Sequence, residues 1–192
     1  MSLLKHPFQL VLASKSPRRQ QLLKDLGFNF SVRTLEVEEN HEAHLNGVEI
    51  AEYLAEKKAL THKSALGNNE IILTSDTVVW AKGESLAKAK NAQEAREMLQ
   101  KLSGQSHEVI TAFCLLSKDK KVLKSDKCKV FFKTLTADEI EHYISTCQPF
   151  DKAGAYGIQE WIGMIGINHI EGSYFTVMGL PTHMVYRELL NW

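Results

Sequence analysis

The sequence predicts an α/β protein in three layers, built on a mixed sheet. Three observations predict it. Short apolar runs at Phe8–Ala13 and Ile71–Ser75 read as buried strands. Segments with helical spacing and start signals are interspersed with the strands rather than gathered after them. Two longer runs, His107–Leu116 and Lys121–Thr134, flank a charged turn and read as paired strands. A chain of 192 residues with 44% hydrophobic content suffices for one well-buried core, so a single domain over residues 1–192, with room for two lobes, is expected.

The first strand, FQLVLA at Phe8–Ala13, is broken by Ser14-Lys15-Ser16-Pro17. A helix should follow at once. Ser16 suits the N-cap, and Pro17 suits the first helical position, where its missing N–H costs nothing. Leu22, Leu23 and Leu26 supply the buried stripe, and Gly27 stands where a C-cap glycine would. Phe28–Val37 reads as extended and runs into Glu36-Val37-Glu38-Glu39. Val48–Ser64 has helical spacing through Ile50, Leu54, Ala55, Lys58 and Ala59. Ile71–Ser75 is the second apolar strand, followed by Asp76-Thr77 and then Val78–Ala81. Asn91-Ala92-Gln93-Glu94 has the form of a capping box, for a helix ending near Gly104, and Thr136-Ala137-Asp138-Glu139 opens another to about Cys147. Gly154–Gly179 is rich in glycine and aromatic residues and is expected to form turns, short strands and a binding surface. Pro181 starts a last helix through Leu190.

Charge and cysteine usage exclude several classes. Lys+Arg and Asp+Glu are each 23, so there is no basic excess of the kind a general nucleic-acid binder uses. A small anionic ligand needs only a local cluster of cations. Cys114, Cys128 and Cys147 are odd in number and contain no C-x-x-C, which argues against a disulfide framework or a cysteine zinc site. The first residues lack signal-peptide architecture, and no apolar run approaches the roughly 20 residues that span a bilayer. A cytoplasmic protein without membrane contact is expected.

Five groups of residues can carry chemistry. In Leu12–Arg19 a strand turns sharply into a helix, whose free N–H groups and positive dipole end form an anion site. Ser14, Lys15, Ser16, Arg18 and Arg19 add hydroxyls and cations. The same residues also fit a capped surface helix. The turn lacks G-x-x-x-x-G-K-[ST], which removes a P-loop ATPase. Asp76, in Ser75-Asp76-Thr77, is read as lying beyond the end of a strand, where a carboxylate can hold a divalent cation or orient a water; an Asx-type turn is the competing reading. Glu36, Glu38 and Glu39 form an acidic stretch that could join Asp76 at a metal or simply be solvated. Lys58 and Lys88, with Arg19, can neutralise a triphosphate, though each alone reads as a surface lysine. The glycines of Lys152–Gln159, Gly172-Ser173-Tyr174 and Gly179-Leu180-Pro181 allow close backbone approach to a ligand, and the Gln159 amide suits a pyrimidine edge; a glycine-rich turn region over core aromatics fits equally. Neither H-E-x-x-H nor G-x-S-x-G occurs.

Together, L-A-S-K-S-P-R-R, S-D-T-V-V, K-A-G-A-Y-G-I-Q and G-S-Y-F-T-V-M-G-L-P resemble the Maf family in order and spacing over nearly the whole chain. The resemblance implies the Maf/ITPase-like fold, a three-layer α/β/α arrangement with an elongated mixed sheet and a cleft between two lobes. It implies a cytoplasmic nucleoside triphosphate pyrophosphatase, often a homodimer, that uses a divalent cation (Mg or Mn). Asp76 matches the proton acceptor for water. Arg18, Thr77 and Gln159 match positions linked to substrate selection. Arg19, Lys58 and Lys88 match phosphate positions, beside the Ser14 and Ser16 hydroxyls of the anion site described above, and Glu39 joins Asp76 at the metal. Y-G-I-Q is similar to the branch that prefers dTTP and UTP. The alternatives are the branch acting on 7-methyl-GTP or other non-standard purines, and a non-catalytic nucleotide-binding regulator of division, since some family members are linked to septum formation. Two departures stand out. Ala89 replaces a common proline after Lys88, which predicts a less rigid loop. Glu160 and Trp161 follow Gln159 where glycine is common, which puts a carboxylate and an indole beside the expected base pocket.

Overall fold

A computed structural model describes residues 7–192; the opening residues Met1–His6, read above for leader architecture, lie outside the described residues. The order is β1 (Gln9–Leu12), α1 (Pro17–Asp25), β2 (Phe30–Val32), α2 (Gly47–Thr61), a 3-10 turn (Lys63–Ala65), β3 (Glu70–Ala81), β4 (Glu84–Leu86), α3 (Ala92–Leu102), β5 (Ser106–Leu116), β6 (Lys121–Phe132), α4 (Ala137–Cys147), α5 (Trp161–Gly166), β7 (Ile167–Glu171), α6 (Tyr174–Met178) and α7 (Thr182–Leu190). Among the described residues the strands form one seven-stranded sheet in the order β2-β1-β3-β5-β6-β7, with β4 on β3. β1 pairs in parallel with both β2 and β3, whereas β3–β4 and β6–β7 are antiparallel. The α/β class with a mixed sheet is therefore as the sequence predicts. No helix of the described residues is long and apolar enough to cross a membrane.

Local start signals hold where a side chain bonds its own helix. Ser16 caps α1 by accepting from Arg19 N, Pro17 lies in the first turn, and Gly27 takes φ 85° just past the end. Thr136 and Glu139 form a full capping box on α4. On α3 only half of the expected box forms. Asn91 Oδ1 accepts from Glu94 N, but the Glu94 carboxylate accepts from Lys90 N instead. Asn46 and Glu49 complete a capping box on α2 that the sequence reading passed over.

Three expectations change. Strand structure in the 28–37 stretch, expected to be extended throughout, is confined to Phe30–Val32, so Glu36, Glu38 and Glu39 lie on irregular chain. The glycine-rich stretch also folds into two short helices, α5 and α6. Most consequential, Ile71–Ser75 and Val78–Ala81 are one continuous strand, β3, so Asp76 is neither past a strand end nor in a turn. The reason is burial. All but three of the twelve residues of β3 are buried, and its first part pairs with β1 while its last pairs with β4.

The chain divides into two compact units. Among the described residues the first comprises the chain up to Asp76 with Thr111–Asp126 and Gly179–Trp192, and the second comprises Thr77–Ile110 and Lys127–Met178. Leu10, Leu12, Leu23, Ile50, Ile72 and Leu73 are among the buried residues of the first. The core of the second gathers Leu99, Val130, Tyr143, Tyr156 and Ile162, among others. All three cysteines are free thiols.

Candidate active site

In the first unit the site grows from the end of β1. Leu12 pairs with Leu73, and Ala13 N donates to Leu73 O at 2.9 Å. β1 stops there while β3 runs on, leaving Thr74–Asp76 beside the turn that enters α1. Ser14 is buried, and its Oγ accepts from Ser16 N at 3.2 Å. Ser16 Oγ accepts from Arg19 N at 3.4 Å. In both bonds the hydroxyl is the acceptor, so each keeps its proton to donate to an anion at the helix start. Lys15 is exposed and Arg18 half-buried.

Arg19 is anchored from afar. Its Nε donates to Gly179 O at 2.8 Å, across 160 positions of sequence. Burial pushes the guanidinium pKa down and Arg18 adds to that, while the Asp76 and Glu39 carboxylates pull it back up. The group stays a cation with its ordinary value this far from neutrality.

Lys58 joins the two acidic residues singled out in the sequence. Its Nζ donates to Asp76 Oδ1 at 2.5 Å and to Glu39 Oε1 at 2.7 Å. Asp76 is only 8% exposed. The strand explains this placement in part. Thr74 Oγ1 donates to Ala55 O at 2.6 Å, clipping α2 to β3 just before the turn that carries Lys58. Ser75, on the other side of the strand, puts its Oγ 2.8 Å from Ala112 O and 3.1 Å from Gly179 O. Gly179 O thus faces both Ser75 and Arg19. Ser75 and the Gly179 carbonyl had no role assigned from sequence; the G-L-P motif was the only signal for the second.

Two carboxylate oxygens that close on one ammonium nitrogen can also close on one small cation. Both are hard oxygen donors, as Mg²⁺ and Mn²⁺ prefer. The described residues contain no group of three or more His, Cys, Asp or Glu placed to hold a metal. One or two carboxylates completed by water and phosphate oxygens is the ordinary arrangement for Mg²⁺ in nucleotide enzymes, so the residues fit such an ion. Glu38 is engaged with Asn40 at 3.3 Å, and Glu36 is exposed.

In the second unit, Lys88 is exposed, and its backbone forms an antiparallel bridge with Ala153. Gly154 N donates to Leu86 O and Ala87 O at 3.0 and 3.2 Å. Ala89 is buried at 3% exposure. The segment after Lys88 is held by this backbone bridge and by packing of Ala89. Thr77 and Gln159 are half-buried. Glu160 does not present a free carboxylate. Its Oε1 is 2.9 Å from Lys152 Nζ, and its Oε2 accepts from the Tyr143 hydroxyl. Trp161 is half-buried and packs edge-on against His142, with ring centroids 4.7 Å apart.

The Maf-like protein family model matches residues 9–192. The chain belongs to that family. A relative from Flavobacterium psychrophilum, named a dTTP/UTP pyrophosphatase, is 49% identical over 95% of this chain and 94% of its own. Proteins of the same name from Flavobacterium johnsoniae and Bacteroides fragilis are 47% and 46% identical, each again covering 95% of this chain. Among solved structures, a Ham1 protein from Staphylococcus aureus overlays with a TM-score of 0.49 at 16% identity, over 65% of this chain and 71% of that one, a distance at which it adds nothing to the assignment.

Proposed function

We propose that the protein hydrolyses dTTP and UTP to the nucleoside monophosphate and pyrophosphate. The full-length similarity to relatives bearing that name supports the reaction and the substrates. The observation that carries the chemistry is Lys58 held between Asp76 and Glu39. A carboxylate fixed by an ammonium at 2.5 Å is oriented before substrate arrives. Asp76 accepts the proton of the water that attacks the α-phosphorus. Ser14 and Ser16, the α1 N–H groups, Arg19, Lys58 and Lys88 take up phosphate charge. Arg18, Thr77 and Gln159 select the nucleotide. Glu39 and Asp76 would hold a divalent cation, Mg²⁺ or Mn²⁺, in place of the Lys58 ammonium, which is then released toward phosphate, and the ion would supply positive charge against the leaving pyrophosphate. A homodimer in the cytoplasm, with nucleoside triphosphate as its partner and no nucleic acid or membrane, completes the reading; light scattering tests the dimer.

Replacing Asp76 by Asn keeps the shape of the side chain and removes its basicity. Pyrophosphate release from dTTP and UTP should fall on the order of 10²–10⁴-fold. A folded Asp76→Asn protein with undiminished release would overturn the assignment. A panel of dTTP, UTP, 7-methyl-GTP and ITP, with and without Mg²⁺ or Mn²⁺, tests substrate and metal together. Nucleotide binding without pyrophosphate release from any of them would leave only a regulator.

A further inference from the structure

Gln159 sits in a turn whose two ends are tied by one polar cluster. Tyr143, on α4, is buried, and its hydroxyl accepts from Gly157 N at 3.0 Å while donating to Glu160 Oε2. Glu160 Oε1 pairs with Lys152 Nζ at 2.9 Å, and Lys152 is only 8% exposed. Lys152 Nζ also reaches Asp151 at 2.6 Å. Glu160 N donates to Gly157 O at 3.0 Å, closing the turn through the backbone. There is no slack in it. A Cβ on Gly157 would lie 2.9 Å from Glu160 Cδ and 3.1 Å from Lys152 Cε, and one on Gly163 would lie 1.9 Å from Ile158 O. The residues on both sides of Gln159 are thus fixed, while the Gln159 amide engages none of these groups.

Burying Lys152 against a half-buried Glu160 is a costly way to hold a turn if holding it is all that is needed, because desolvation of the ammonium offsets much of the attraction. What such a network supplies is one geometry. Burial and Glu160 push the Tyr143 phenol far up, so it remains a donor to Glu160 at any working pH.

We propose that Tyr143, Glu160 and Lys152 are positioning residues that hold the Gly157–Glu160 turn so that the Gln159 amide meets the nucleotide base in one orientation, and that they thereby set discrimination between pyrimidine and purine triphosphates. This rests on the substrate-selecting role given above to Gln159. The cluster touches the base only through Gln159.

The test is kcat and KM for dTTP, UTP and GTP in the wild type, Gln159→Ala, Tyr143→Phe, Glu160→Gln and the double variant Tyr143→Phe/Gln159→Ala. Tyr143→Phe keeps the buried ring and removes only the hydroxyl; Glu160→Gln keeps the size and removes the charge. Each should lower the dTTP-over-GTP ratio of kcat/KM by about threefold to tenfold, the worth of one net hydrogen bond, and should do so through KM. Tyr143→Phe should then lower the ratio no further in the Gln159→Ala background. If Gln159→Ala lowers the ratio while both Tyr143→Phe and Glu160→Gln leave it intact, the positioning role is overturned and the role of Gln159 stands. If Gln159→Ala itself leaves the ratio intact, the role of Gln159 falls and this inference with it.

Discussion

His107 offers a direct measurement of how burial sets stability in the second unit. It lies in β5 at 3% exposure, its Nε2 2.8 Å from the Tyr156 hydroxyl and its ring tilted against Phe132. Among the described residues its Nδ1 has no hydrogen-bond partner. Burial, with no carboxylate to offset it, pushes the pKa from an ordinary 6.5 down to about 4. The folded state therefore binds this proton less readily than the unfolded chain. Stability is full above pH 6.5 and is lost as pH falls toward 4. At 1.36 kcal/mol per pKa unit, linkage gives a loss of about 2 kcal/mol by pH 5 and about 3 kcal/mol by pH 4 from this residue. Urea unfolding, followed by fluorescence of Trp80 and Trp161 in the same unit, should show it. The perturbation is His107→Gln, which does not titrate and can still pair with Tyr156. Carboxylates such as Glu139, held low by Lys133, titrate alike in both proteins and cancel in the difference. The wild type should lose more stability than the variant between pH 7 and 4, by about the amounts given. Parallel pH curves would refute the reasoning and mean that His107 is protonated in place or that the strand opens to water.

Three further outcomes are expected. Lys58→Met should lower kcat/KM for dTTP on the order of 10²-fold or more, because Asp76 and Glu39 lose the cation that orients them; steady-state pyrophosphate release checks it. Arg19→Lys keeps the charge but loses the Nε bond to Gly179 O, and should raise KM for the triphosphate at least about tenfold with no large change in melting temperature. Gly154→Ala should destabilise the protein by about 1–3 kcal/mol, since φ is +66° and the new Cβ would meet Val79 Cγ1 at 3.0 Å; calorimetry reads the loss.

Much of the fold was legible because its signals are local. Ser16 and Pro17 start α1, Thr136 and Glu139 start α4, and Gly27 ends a helix, all through bonds or torsions within a few residues. The paired strands β5 and β6 showed in their hydrophobic runs and charged turn. Asp76 was misplaced because a polar Asp-Thr pair in an apolar run looks like a break, and only the neighbouring strands show that the run continues. Asn91 and Glu94 matched a capping pattern, yet Glu94 found Lys90 N instead, a choice between two nearby amides that spacing does not settle.

By itself the sequence determined the α/β class, the starts of α1, α3 and α4 and the motifs that place the chain in the Maf-like family. It also named Asp76, Glu39 and Lys58 as separate candidates. Only the tertiary structure decided that Lys58 bonds both carboxylates, that Arg19 leans on the Gly179 carbonyl, and that Glu160 turns to Tyr143 and Lys152 rather than standing free beside Gln159. The physical reason is range. Caps and turns are settled by the torsions of adjacent residues, whereas a side chain on α2 meets β3 only after the helix has packed on the sheet, at an approach set by residues such as Thr74 and Ala55 that carry no charge and no motif.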